Sequence, residues 1–420
     1  MHELLPAYQQ LPLAFSYYVF KMQLAEGLPP TVFYYLLSHC IVIDCQERFS
    51  KILAPWFTND YFCNVFVNHS NPMKAIFAKR LKSARLSASL SQDALVERIG
   101  GIVSKNAISK YERGLMMPDS KVLIALSKAL AVKTDYFFRE YSVSIGNVEF
   151  RKKSRLRVKL QNSIREQVAD KVSRYLEIEQ FLNIESEFSN PIKNIAVNSL
   201  SDIEIAVNQL LNTWNIGINA IPSVIDLLED NEIKVVELQT DGDFEGFSGW
   251  ADKKYPVIAI NANYCAERKR FTALHELGHL LLSIDHRISD KEKEKMCHRF
   301  AGAMLIPEVT FRRELGPYRS YIPIPELINI KESYGISIQA IMARARDLKV
   351  IGDSTYTQFC IRISSNRKEE GLGHYTGKEK STRFKQLVYR AASEEIISMS
   401  KAANLADQKL SDFRVEFESI

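Results

Sequence analysis

The run His275-Glu276-Leu277-Gly278-His279 constrains this chain more than any other five residues in it. On a helix, positions four apart project from one face about a turn apart, so both imidazoles can reach one ion. Glu276 then stands beside the pair, placed to act as general base toward water at the fourth coordination position. The flanks predict a buried helix: Phe271-Thr272-Ala273-Leu274 precedes the run and Leu280-Leu281-Leu282 follows it. Two histidines and a glutamate inside such a helix need partners to offset their desolvation. A metal supplies them; a hydrogen-bonded core pair of histidines is the competing structural reading. Gly278 lets a second segment approach this helix closely.

A catalytic zinc site of this kind takes a third protein ligand. Asp285 lies six residues after His279, but that spacing needs a glycine turn where Leu282 stands. The alternative is a side chain from a following helix. Residues Lys291 to Ile306 have helical period, with Met296, Phe300, Ala303 and Met304 toward a core. Glu294 and Cys297 share neighbouring parts of that helix, and His298 is four residues from Glu294.

Around this site the chain reads as several domains. Its 420 residues exceed what one core serves, and 46% hydrophobic with 25% charged residues is the composition of a folded, soluble chain. The six cysteines form no CxxC pair, which predicts reduced thiols and a cytoplasmic protein. There is no basic n-region with an apolar core behind it, and the aromatic stretch from Phe15 to Phe20 is too short to span a bilayer, so no membrane partner is expected. Residues 1–72 are aromatic, interrupted by six prolines and without sustained period. They are expected to be an extension: either translated upstream sequence, with the biological start at Met73, or a small sticky or membrane-peripheral segment. Residues 73–140 read as a compact helical module. Residues 141–199 read as a helical linker with its period running from Arg151 to Leu182. Residues 200–365 read as α+β, with helices over Ile203 to Trp214 and Ile221 to Glu229 and strands over Ile233 to Leu238 and Val257 to Asn261. Residues 366–420 begin as a polar loop and end in a helix from Arg383 to about Leu405.

Charge is uneven along the chain. Residues 73–140 hold 13 Lys/Arg against 6 Asp/Glu, a surplus of seven where the whole chain carries +5. A basic module of this size fits a polyanionic partner, with a solvated basic surface as the bland alternative. Its helices are short. Ser91 caps one that ends at Gly100-Gly101; Ser104 caps the next, Lys105 to Arg113, which Gly114 stops. Two short helices across a glycine turn form a helix-turn-helix, whose second helix enters the major groove of double-stranded DNA. Ala107, Ile108 and Tyr111 face inward, leaving Ser104, Lys105, Asn106, Ser109 and Lys110 for phosphates and base edges. Gln92, at the start of the preceding helix, is placed for a backbone phosphate.

This module resembles the XRE (Cro-like) DNA-binding family. The resemblance rests on Ser91-Gln92, Ile108-Ser109-Lys110-Tyr111-Glu112-Arg113-Gly114, Pro118 and Leu126-Ser127-Lys128-Ala129-Leu130 with Val132. The turn Gly100-Gly101-Ile102-Val103 is two residues longer than the usual form. The second half is similar to the ImmA/IrrE metallopeptidases. It carries Arg270 to Leu282 around the histidines, then Glu294-Lys295-Met296-Cys297-His298-Arg299-Phe300-Ala301-Gly302-Ala303-Met304-Leu305-Ile306-Pro307. Gly246-Phe247-Ser248-Gly249 and Tyr334-Gly335-Ile336-Ser337 extend the likeness. In that family the Glu six residues before the Phe-Ala pair completes the zinc site, which maps to Glu294. Cys297-His298 replace the usual Ala-Asn, so His298 or Glu292 stays a lesser candidate.

Together the resemblances imply an all-α helix-turn-helix domain followed by an α+β zincin-like metallopeptidase domain. The implied function is a DNA-binding regulator with zinc endopeptidase activity on a repressor or another regulatory protein: His275, His279 and Glu294 hold zinc, and Glu276 is the catalytic base. The alternative is a repressor or antitoxin whose metal domain senses or scaffolds. A homodimer is expected, since Cro-like modules bind paired half-sites. For the oxyanion-stabilising group His286, His298, Tyr334 and Arg344 stay open.

Overall fold

The computed structural model describes residues 72–140, 143–149, 157–240 and 244–419. The chain divides at Pro72/Met73; apart from Pro72 the described residues belong to the second unit. The expectation for residues 1–72, with the short aromatic stretch inside it, lies outside the described residues.

Five short elements open this unit. They are α1 (Pro72–Ser87), α2 (Gln92–Arg98), α3 (Lys105–Glu112), α4 (Ser120–Leu130) and a 3-10 turn over Thr134–Phe138. Three of these starts have a cause in the sequence. The hydroxyls of Ser91 and Ser104 and the carboxylate of Asp119 accept from backbone N–H groups three residues on, satisfying donors that a helix start leaves open. Gly100 and Gly101 take φ of 73° and 67°, which explains why the turn between α2 and α3 needs two glycines. Phe77, Leu81, Leu95, Ile108, Leu126 and Phe137 make its core.

The stretch read as a linker holds β1 (Ile145–Glu149), α5 (Val158–Phe181) and β2 (Ala196–Val197). Next come α6 (Leu200–Thr213), α7 (Val224–Asp230), β3 (Lys234–Leu238), β4 (Gly246–Ala251) and β5 (Tyr255–Asn261). The four longer strands form one sheet in the order β1-β4-β5-β3, parallel between β3 and β5 and antiparallel elsewhere. Its two faces alternate along each strand, as the period of two requires. Val235, Ile258 and Ile260 enter one core, while Val236, Val257 and Ala259 enter the other. The first core is shared with α8 (Ala266–Leu281) and α9 (Asp290–Leu305), joined by β6 (Ser283–Ile284), which pairs with β2. The second is closed by α5, through Ile164, Val168, Val172 and Leu176 at successive steps of four. Residues 158–181 are therefore a layer of the sheet domain rather than a spacer. Their apolar stripe is buried, and the charged residues that suggested a linker face elsewhere.

Beyond α9 follow α10 (Glu308–Leu315), α11 (Ile324–Tyr334), α12 (Ile338–Asp347) and α13 (Asp353–Ile363). The C-terminal helix expected from Arg383 to Leu405 is broken in two, α14 (Arg383–Ser393) and α15 (Met399–Leu405), followed by α16 (Leu410–Glu418). Ser398 caps the restart, and Glu395 takes φ of 55°, a turn that no continuous helix permits. These helices pack on Tyr175 and Ile178 at the end of α5. Among the described residues no helix is long and apolar enough to cross a membrane.

Candidate metal centre and helix-turn-helix

The sheet and two helices converge on the histidine motif. It lies on α8, which rests against the face of β4 and β5. Gly246 makes that approach possible: a Cβ there would stand 2.8 Å from Thr272 Cγ2 and 2.9 Å from the Ala259 carbonyl oxygen. Gly278 does the same on the other side of α8. A Cβ there would meet Phe300 at 3.3 Å and Cys297 at 3.4 Å, so α9 is drawn close and Glu294 reaches the histidines. His275 and Glu276 are fully buried.

Three donors meet. His275 Nε2 and His279 Nε2 are 3.1 Å apart. The Glu294 carboxylate lies 3.4 Å from each. All donor atoms fall within 4.8 Å of one another. Ligand atoms on a tetrahedral ion with bonds of ~2.0–2.1 Å are themselves ~3.3–3.4 Å apart, so two imidazoles and a carboxylate here fit a small divalent metal in both chemistry and spacing. Burial pushes the Glu294 carboxyl upward, but its bonds to His275 and His279 outweigh this and hold it well below the usual carboxylate range.

Glu276 is not one of the three. It accepts a hydrogen bond from Ser248 Oγ on β4 at 2.9 Å, which fixes one carboxylate oxygen of the residue that follows His275 on α8. Sequence reasoning quoted Ser248 without giving it a role; its distance of 28 residues from Glu276 hid the contact. A second unforeseen contact is Cys297 Sγ, 3.5 Å from His279 Nδ1, the ring nitrogen turned away from the cluster. Burial raises the Cys297 thiol, keeping it neutral.

The other candidates part company with the site. Asp285 is held by Arg287 through side-chain and backbone N–H groups, which depress its pKa to about 2. Glu292 is spent on the helix cap with Ser289. Among the oxyanion candidates, the Tyr334 hydroxyl donates to Glu314, Arg344 is bidentate to Glu204, and His286 is exposed. His298 alone stays beside the cluster, its ring 4.4 Å from that of His275 and stacked on Phe271.

Behind α8 is a buried support. Arg270 is fully buried, ion-paired to Glu379, and donates to the carbonyls of Ile221 and Tyr334 at 2.8 and 3.2 Å. Glu379 in turn accepts from the backbone N–H groups of Val224 and Ile225 at the start of α7. The polar stretch before α14 thus straps the motif helix to α7.

In the helix-turn-helix the structure exposes Lys105, Asn106 and Lys110 on α3, with Ser109 half-buried. Ser104 is committed to its cap, and Lys105 pairs with Asp93 at 2.7 Å on the surface. Gln92 stands at the start of α2. Its amide donates to Glu112 at 2.8 Å, and Glu112 is clamped by Arg85 at 2.6 and 3.0 Å, so Gln92 belongs to an internal network.

Comparison with known proteins bears on both halves. The helix-turn-helix family profile matches residues 81–137, and that of the IrrE N-terminal-like domain, a peptidase M78 family, matches residues 228–346. An uncharacterized transcriptional regulator in the ATPase CF(0) region of Rhodospirillum rubrum is 42% identical over 62 residues, 15% of this chain and 56% of its own length. The HTH-type transcriptional regulator ImmR of Bacillus subtilis (strain 168) is 38% identical over 69 residues, 16% of this chain and 53% of its own. The SPbeta prophage-derived uncharacterized HTH-type transcriptional regulator YonR, from the same strain, is 36% identical over 64 residues, 15% and 57%. The chain spans about half the length of these relatives. It therefore joins an XRE-type helix-turn-helix domain at 81–137 to an IrrE/ImmA-like peptidase M78 domain at 228–346.

Proposed function

We propose that the chain is a DNA-binding regulator with zinc-dependent endopeptidase activity toward a regulatory protein such as a repressor. One observation carries the enzymatic half: two imidazoles and a carboxylate converge within 4.8 Å, and a buried glutamate that is not one of them stands alongside. A closed structural zinc site has four protein ligands and no use for an adjacent base.

His275, His279 and Glu294 would hold the metal. When bound, zinc polarises a carbonyl and lowers the pKa of water. The chain's own residues do the rest. Glu276 accepts the proton from the attacking water and returns it to the departing amine, at the carboxylate that Ser248 orients. Ser248 donates to Glu276 Oε2 and so fixes the rotamer in which the proton moves. On the DNA side, α3 presents Lys105, Asn106, Ser109 and Lys110 to a major groove. The relatives named as transcriptional regulators support a regulatory role. A homodimer on paired half-sites and a cytoplasmic location belong to the same reading.

The names of those relatives also favour a second reading, a repressor or antitoxin whose metal domain only senses or scaffolds. Mass-spectrometric mapping of new protein N-termini separates the two. Cells producing the zinc-loaded wild type should show cleaved N-termini that cells producing Glu276→Gln lack. Identical sets of N-termini, with regulation intact in both, would leave the second reading standing.

A further inference from the structure

The helix α9 reaches His279 from two sides. Glu294 lies 3.4 Å from its Nε2, and Cys297, three residues further along α9, sets Sγ 3.5 Å from its Nδ1. Residues three apart share a helix face, so one helix supplies both partners to one ring. The close crossing of the two helices makes this reach possible. A Cβ at Gly278 would stand 3.4 Å from both Cα and Cβ of Cys297, and the thiol is fully buried in that seam. His279 has more need of a second anchor than His275. It sits in the last turn of α8, just before β6, and its side chain keeps 10% exposure while that of His275 has none. A neutral imidazole carries one N–H. With Nε2 turned to the other two donors and offering its lone pair there, the proton stands on Nδ1, so the bond runs from Nδ1–H to Sγ.

We propose that Cys297 is a positioning residue of the metal centre, whose sulfur accepts the Nδ1 proton of His279 and so fixes the tautomer and ring plane in which Nε2 faces His275 and Glu294. This rests on reading the three donors as a metal site, and adds the residue that holds the more exposed of the two histidines. A ligating histidine is ordinarily oriented by a carboxylate, a carbonyl or a water, and loss of such a partner lowers metal affinity. Sulfur is a weaker acceptor than any of these. It therefore orients the ring while adding little to its basicity, and metal retention in this chain depends on geometry more than on a strengthened ligand. Packing alone predicts something else. Phe300 fills the same seam, 3.3 Å from the position of a Cβ on Gly278, and its side chain carries no polar atom. Were Cys297 only filler, the two residues would matter to the metal alike.

The test uses the full chain, nitrogen-15-labelled at its eight histidines, with zinc as the probe. Zinc-loaded wild type should show a downfield ring N–H that exchanges slowly with water. In Cys297→Ala that signal should move upfield and exchange roughly tenfold or more faster. Zinc affinity, measured by competition with a chelating dye, should fall about tenfold in the same variant. Phe300→Leu perturbs the seam without touching the hydrogen bond, and should keep the ring signal and an affinity within about twofold of wild type. Cobalt in place of zinc should give the wild type no sulfur-to-cobalt charge-transfer band. An unmoved ring signal with unchanged affinity in Cys297→Ala, or an equal loss of affinity in Phe300→Leu, would overturn the proposal. A charge-transfer band that Cys297→Ala abolishes would overturn it too, by making the sulfur a ligand. Wild type that binds no zinc would bring down the metal-site reading and this proposal with it, an outcome told apart from the others because it needs no variant.

Discussion

The helix-turn-helix module and the candidate metal centre contain the same kind of support, a buried arginine–glutamate pair, but built over different distances along the chain. In the module Arg85 clamps Glu112 across 27 residues, and every core residue lies between Phe77 and Phe137. At the metal centre Arg270 pairs with Glu379 across 109 residues, and Ser248, Ile221 and Val224 come from separate elements. The module is a local object whose caps, turn glycines and helix period all sit in one stretch of sequence. The centre has a local half, the two helices that carry the donors, and a distant half that holds them in position. Local features are set by backbone propensity and periodicity, and distant ones by packing, so the two regions should respond differently to substitution.

The largest effect is expected at the centre's chemistry. Glu276→Gln should lower cleavage by about 10²- to 10⁴-fold, the range for a lost general base, while metal content stays at the wild-type level. Loss of metal together with activity would place Glu276 among the ligands and erase the distinction between base and donor set.

Stability comes next and sharpens the contrast. Arg270→Ala leaves Glu379 buried at the start of α7 without its cation and should destabilise the fold by about 3–5 kcal/mol in urea unfolding. Arg85→Ala should cost about 3 kcal/mol by the same mechanism, since its pair is also mostly buried. The sharper expectation concerns reach. Arg270→Ala should also weaken metal retention, because α8 loses its strap. Arg85→Ala should leave retention unchanged. Equal effects of the two on metal retention would break the comparison.

What the sequence made legible follows the same division. The caps at Ser91 and Ser104, the turn glycines and the two histidines four apart were readable because each is a short-range pattern. Glu294 was named only through resemblance; spacing alone left it beside Cys297 and His298. Neither β1 nor β4 was read as a strand, yet the first glycine of β4 is what admits α8. Residues 158–181 looked like a linker because their charged positions outnumber the stripe that closes the sheet. Gln92 was read as a phosphate contact from its place at a helix start, and the competing partner, Glu112, lies twenty residues on.

Smaller effects belong to the module alone. Ser104→Ala should cost about 1 kcal/mol through the lost cap of α3, measured by thermal unfolding. Lys110→Ala should weaken DNA binding about uniformly across sequences and reduce the salt-dependence slope by about 1, as for one lost phosphate contact. A change confined to one base position would instead make Lys110 a base reader.

Metal content tests the central claim most directly. Elemental analysis of chelator-free wild type, His279→Ala and Glu294→Ala should give about one zinc per chain in the first and little in the other two. Wild type without zinc, or variants that retain it in full, would contradict the assignment of His275, His279 and Glu294 as the metal ligands.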